Sequence, residues 1–237
     1  MLSAEALKEL IQQHKVIPIH FGTQSLLLAA DGVLIWPRYD AIIFSDLHLE
    51  KGSFLSQFSN PIPRLDSRNT LTRIQNCLER YACKWVICLG DSLHDGNAVN
   101  RMEDTDLSSL NELVNTTHRW TWVQGNHDPD IPKVVLGERS ANIQLDGLLL
   151  THEPENLALF DDICAQIVGH FHPKLTIKLA NRKVNGKSFL LDDKILIMPA
   201  FGKYTGGLDS DDLAFKALVN DKLRSRYLMH GASIYKI

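Results

Sequence analysis

The chain has 237 residues, 44% of them hydrophobic and 22% charged, with a formal net charge of −3. That length buries a sizeable core in one domain, and the even composition excludes a disordered, collagenous or disulfide-scaffold protein. The slight acidity excludes a chain held to nucleic acid by its overall field, so any polyanion must meet a local basic surface or bound metal.

The four cysteines, Cys77, Cys83, Cys88 and Cys164, contain no Cys-x-x-Cys pair. Cys88 sits in an apolar run, where a thiol behaves as a small hydrophobe. A disulfide framework is not expected in a chain of this length. Residues 1–9 lack the basic segment and apolar stretch of a signal peptide, and no apolar run approaches the roughly 20 residues of a spanning helix. The reading is a reduced, cytoplasmic, single-domain protein over residues 1–237.

Taken in chain order, Ser25 to Ile35 reads as a hairpin that turns at Asp31-Gly32. Ala41-Ile42-Ile43-Phe44 is a buried strand leading to Asp46. Asp66 to Tyr81 places Leu71, Ile74 and Leu78 at helical spacing, with Asp66 or Ser67 as the expected cap. Trp85 to Leu89 runs into Gly90-Asp91, a second helix covers Asp106 to Asn115, and Trp120 to Val123 runs into Gly125-Asn126. Gly147 to Thr151 leads to His152, and Ala165 to Val168 to Gly169-His170. Further strands are expected at Leu175 to Leu179, Phe189 to Leu191, Ile195 to Met198 and Ser233 to Ile237. Helical units early and strands late point to two sheets packed face to face with helices outside. Five times a buried strand stops just before a metal-compatible side chain, the place where open α/β sheets put their sites.

The chemistry of those side chains is coherent. Two divalent cations neutralise the oxygens that shield phosphorus and turn water into hydroxide at neutral pH. Borderline cations take mixed oxygen and imidazole ligands. Asp46-x-His48 offers one of each, Gly90-Asp91 a carboxylate suited to bridging, and Gly125-Asn126-His127-Asp128 an amide oxygen and an imidazole. His152 and Gly169-His170-x-His172 complete the series. Each piece is common alone; the ordered set, each after a strand, is the signal.

This set resembles the five-part signature of the calcineurin-like metallophosphoesterase superfamily, over somewhat more than half of the chain. The resemblance implies a four-layer αββα sandwich of two mixed β-sheets flanked by helices. It implies one metal on Asp46, His48 and His172, the other on Asn126, His152 and His170, with Asp91 between them. A water bridging two ions would attack phosphorus in line with the leaving oxygen. His127 would be general acid or transition-state stabiliser, its ring held by a hydrogen bond to Asp128.

Segments at Phe44 to Gly52, Leu89 to Asp95 and Pro199 to Gly207 resemble one bacterial branch, the DNA ligase-associated metallophosphoesterases, regarded as DNA-damage-response nucleases. That likeness implies phosphodiester cleavage on DNA in repair, association with ligases and helicases, and manganese as the metal, with iron, zinc or cobalt suiting the same ligands. His94, Lys51 and Lys203 are the expected substrate contacts, and Phe201 and Tyr204 offer stacking surfaces for bases. Arg64, Arg68, Arg73, Lys133 and Arg139, with Lys222, Arg224 and Arg226, are the basic residues available for a DNA groove. The competing reading is a small-molecule phosphoesterase for nucleotides, cyclic nucleotides or pyrophosphates. The similar lipid-precursor pyrophosphatases carry Arg at the position of His127, and a non-enzymatic metal-bound scaffold would lack that histidine.

Overall fold

The computed structural model describes residues 2–58, 62–180 and 182–237. It opens with α1 (Ala4–Gln12), capped by Ser3, whose hydroxyl accepts the Ala6 N–H. The first sheet holds β1 (Val16–Phe21), β2 (Gln24–Ala29), β3 (Leu34–Trp36), β4 (Ala41–Phe44), β5 (Trp85–Leu89), β6 (Arg119–Val123) and β7 (Glu138–Ser140), neighbours in that order. β1 to β4 pair antiparallel across short turns, and β4 to β7 pair parallel. The parallel pairs need crossovers. α2 (Lys51–Leu55) and α3 (Asp66–Tyr81) bridge β4 to β5, and α4 (Ala98–Arg101) and α5 (Asp104–Thr116) bridge β5 to β6.

The second sheet is built from β8 (Ile143–Leu145), β9 (Leu148–Leu150), β10 (Ala165–Val168), β12 (Arg182–Leu191), β13 (Ile195–Ile197), β14 (Ser225–His230) and β15 (Ser233–Lys236). Its spatial order is β15-β14-β12-β13-β10-β9-β8, and β11 (Lys174–Leu179) pairs with β12 off that path. A single turn, α6 (Leu213–Lys216), precedes β14.

Strand parity separates the layers. In β4, Ala41 and Ile43 face the second sheet while Ile42 and Phe44 face the helices. Both sets are buried, which is why this strand reads as a continuous apolar run. The inter-sheet core joins Leu28, Trp36, Ile43 and Ile87 to Leu150, Ile167, Phe189 and Leu196. The helical core sets Leu71, Ile74, Tyr81 and Leu110 against Val86, Trp120 and Trp122. A smaller cluster covers the far face of sheet two with Phe215 and Val219 over Leu190 and Ile197. This is the expected αββα sandwich, its second helical layer reduced to α6.

The expected hairpin and α3 form, but Asp66 and Ser67 do not cap it. Asp66 Oδ2 accepts the Gly52 N–H at 2.9 Å, and Ser67 Oγ donates to Glu50 Oε1 at 2.7 Å. Both side chains are buried and tie α3 to α2, directly behind the Asp46-x-His48 loop.

Candidate metal centre

Because β4, β5 and β6 run parallel, their C-terminal ends share one edge of sheet one, and β9 and β10 do the same in sheet two. The loops leaving those ends are tied by their backbones. Asp46 N donates to Gly90 O at 3.3 Å, His48 N to Asp91 O at 2.9 Å, and Gly169 N to His152 O at 3.0 Å. From the second sheet, Phe201 N donates to Ser45 O at 2.7 Å and Gly202 N to Asp46 O at 3.0 Å. Asp46, His48, Asp91, His170 and His172 all have positive φ, between 44° and 68°. Non-glycine residues pay strain there, and such strain concentrates at functional sites. Gly90 has a φ of +73°, and a Cβ on it would lie 2.2 Å from His152 Nδ1. Only glycine lets the Asp91 loop pass that ring.

Two donor groups result. In one, His172 Nε2 lies 3.0 Å from Asp46 Oδ1 and 3.3 Å from His48 Nε2. In the other, Asn126 Oδ1 lies 3.0 Å from both His152 Nε2 and His170 Nδ1, which are 3.3 Å apart. Asp91 Oδ2 stands between the groups, 3.8 Å from His48 Nε2 and 3.3 Å from His152 Nε2. Asp91 Oδ1 is turned away, accepting the His127 N–H at 2.9 Å. Ligand bonds of about 2.0–2.2 Å set at right angles leave donors roughly 3 Å apart, so these spacings suit divalent cations.

The second layer orients the rings. His152 Nδ1 is 3.1 Å from the Leu89 carbonyl, which can only accept, so Nε2 is the atom aimed into the group. Burial pushes that imidazole down, but its hydrogen bond to Asp91 and the charges of Asp46 and Asp91 pull it up to about 9. Positive charge is favoured at this point. Burial pushes Asp91 up, and the bond and charge of His152 bring it down to about 2. Burial lowers His48 to about 3, keeping its ring neutral as ligation requires. Ser45 Oγ holds Asp46 Oδ2, His170 N reaches the Asp46 carboxylate at 3.2 Å, and His170 Nε2 faces Glu153 Oε1 at 3.5 Å. Ser45 and Glu153 were not singled out in the sequence, although each is the immediate neighbour of a ligand candidate.

His127 is bound at Nδ1 to the His94 carbonyl at 2.8 Å, which leaves Nε2 facing the centre, 4.0 Å from Asp91 Oδ2. Among the described residues, no hydrogen bond joins His127 to Asp128. Asp128 is buried and accepts the N–H groups of Ser92 at 2.8 Å, Leu93 at 2.9 Å and Gly125 at 3.1 Å. It ties the β5 loop to the β6 loop, and burial raises its carboxyl to about 7. His94 stacks on His127 with centroids 5.4 Å apart, and its Nδ1 is 3.5 Å from His48 Nδ1. Half-buried Lys51 is within reach of the charges of Asp46 and Asp91.

Lys203 instead lines a groove with Arg73, Lys187, Tyr204 and Thr205. Phe201 offers no stacking surface. It is 1% exposed, edge-on to Phe44 and covered by the Arg73 guanidinium 4.0 Å above its ring. Several basic residues proposed for a groove are committed elsewhere. Arg68 pairs with Asp106, Arg139 is spent on backbone carbonyls, and Arg224 and Arg226 pair with Asp211.

The calcineurin-like phosphoesterase family model matches residues 40–198, a span containing all seven ligand candidates. This chain belongs to the calcineurin-like phosphoesterase family. It is therefore a metal-dependent phosphoester hydrolase. The fold of this calcineurin-like phosphoesterase is similar to that of nuclease MPE from Pseudomonas putida. The two are 23% identical, with a TM-score of 0.72 over 94% of this chain and 100% of that one. Yfce, a phosphoesterase from E. coli, is 18% identical with a TM-score of 0.44, over 83% of this chain and 97% of its own. No curated protein matches the sequence. Among the described residues no helix is long and apolar enough to cross a membrane.

Proposed function

We propose that this phosphoesterase is a two-ion phosphodiesterase acting on DNA in repair. Asp46, His48 and His172 would hold one ion, Asn126, His152 and His170 the other, and Asp91 would serve both. The observation that carries this reading is the single oxygen, Asp91 Oδ2, lying between two groups of donors. When bound, the ions supply Lewis-acid neutralisation of phosphate oxygens and make water acidic enough to ionise near neutral pH. Mixed oxygen and imidazole ligands suit manganese, and iron, zinc or cobalt as well.

The chain's own groups supply the rest. His127 presents Nε2 toward the centre while Nδ1 is fixed on the His94 carbonyl. That arrangement suits a proton delivered from Nε2 to the leaving oxygen, or a hydrogen bond to the phosphate in the transition state. His94 stacked behind it keeps the ring in place, and Lys51 adds positive charge beside the acidic ligands. The DNA substrate, and a cytoplasmic setting beside ligases and helicases, rest on the sequence resemblance. A similar fold in a protein described as a nuclease supports the substrate.

The test is a panel of single-stranded DNA, duplex DNA, cyclic dinucleotides and mononucleotides incubated with manganese. Cleavage of DNA is expected. A preference of several orders of magnitude for mononucleotides or pyrophosphates would replace DNA with a small-molecule substrate.

A further inference from the structure

Two residues beyond His172, the chain enters β11, which among the described strands pairs with residues 182–187 of β12 alone. Residues 188–191 of β12 pair with β14, and Leu190 and Leu191 with β13, so the β11–β12 segment overhangs the sheet as a two-stranded ribbon. Its register sets Lys174 opposite Lys187, Thr176 opposite Asn185, and Lys178 opposite Lys183. Directly opposed residues share a face, so four lysines stand on one side of the ribbon. Leu175, Ile177 and Val184 take the other side. Residues 173–187 contain no Asp or Glu.

Like charges directly opposed across an antiparallel pair destabilise it, and at the outer end of this ribbon exposed Lys178 faces exposed Lys183, with the Asn185–Thr176 hydrogen bond at 2.7 Å inboard of them. The side-chain ion pairs among the described residues all lie elsewhere. Asp209 runs beside Lys174 in backbone register, but its Oδ1 accepts the Asp211 N–H. The orientation of the lysine face is informative. By parity it continues the side of β12 that buries Phe189 and Leu191 between the sheets. It therefore faces the side of sheet one, whose strand ends carry the metal centre. At its inner end Lys187 donates to Ala200 O at 2.5 Å and to Gly202 O at 2.9 Å, and Gly202 N holds Asp46 O. Lys187 also lines the groove of about 400 Å³ that contains Arg73 and Lys203. The groove also holds Asp31, which is paired with Arg80, and Arg73 is packed on Phe201, so Lys203 is the groove's contribution to a basic track that runs from the ribbon to the metal loops.

We infer that the lysine face of the β11–β12 ribbon binds the sugar-phosphate backbone of the nucleic acid and leads the strand to the metal centre. This rests on the nuclease reading above and adds a binding surface outside the seven ligands. A polyanion relieves the repulsion of the exposed Lys178–Lys183 rung, and the overall charge of −3 calls for such a local surface on a nucleic-acid enzyme.

The experiment measures the affinity of the full chain with manganese for a phosphorothioate oligodeoxythymidine across a range of salt. Each lost phosphate contact on a single strand flattens log K against log salt by about 0.7, so Lys178→Gln with Lys183→Gln should flatten it by about 1.4. Both positions are exposed at the outer end of the ribbon, away from the core. Lys178→Arg with Lys183→Arg should restore the wild-type slope. Lys8→Gln with Lys84→Gln, an equal charge change on the helical side, should leave it unchanged. Wild-type slope in the ribbon variant, or equal flattening in both glutamine pairs, would overturn the inference. So would loss of binding to phosphatidylserine vesicles with oligonucleotide affinity intact. Cleavage of unmodified oligonucleotide separates the two readings. Cleavage with a ribbon-independent slope removes the ribbon alone, and absence of cleavage removes the nuclease reading together with the ribbon's ligand.

Discussion

His127 and His94 are neighbours whose roles divide by atom. The His127 ring is fixed at Nδ1 and open at Nε2, beside the donor groups but outside both proposed ligand sets. His127→Ala should therefore retain metal while turnover on a diester with a poor leaving group falls by about 10²–10⁴. Unchanged turnover would remove it from the chemistry. His94 is buried, and burial together with the charge of Lys51 depresses its imidazole to about 4. In the unfolded chain the same group titrates near 6.5, with reference values of about that size. The unfolded state thus takes the proton first as pH falls. The stability tied to a neutral His94 is complete above pH 6.5 and is lost on descending toward pH 4. In chelator, thermal melts should show wild type losing more stability than His94→Gln between pH 7 and 4.5. A variant equally or more sensitive to acid would contradict the depressed value.

Among the elements, the loops after β4, β5 and β6 behave as one unit, and Asp128 is the tie between two of them. Asp128→Ala would strand three N–H groups at Ser92, Leu93 and Gly125. The expected cost is on the order of 3 kcal/mol in denaturant unfolding, since unpaired buried donors are expensive. A residue that only oriented His127 would leave stability unchanged. Gly90→Ala should weaken metal binding by pushing a Cβ into the His152 ring, and calorimetric titration would register it. The sequence exposed the ligand loops because strand ends and metal-compatible side chains coincide at five places. It did not expose the role of Asp128, because adjacency to His127 says nothing about which way a carboxylate turns after a tight loop. Phe201 misled for a related reason. A Gly-rich surface-like segment was held down by Arg73 and Lys187, which are distant in sequence.

For the whole molecule, the sandwich was legible from apolar runs buried on both faces, with helical spacing early and strands late. β1 and β14 were not, because Pro18 and His20 interrupt one apolar pattern and Ser225, Arg226 and His230 bracket the other. The basic ribbon was also invisible, since its lysines are scattered in sequence and meet only through antiparallel register. At this scale the defining quantity is the ratio of ions to chains. The decisive measurement is a calorimetric titration of the chelator-stripped chain with manganese, repeated on Asp91→Asn. Two ions per wild-type chain, with at least one lost or greatly weakened in Asp91→Asn, is the predicted result. One ion or none in the wild type, or two ions bound with undiminished affinity in Asp91→Asn, would contradict a centre built around Asp91 Oδ2.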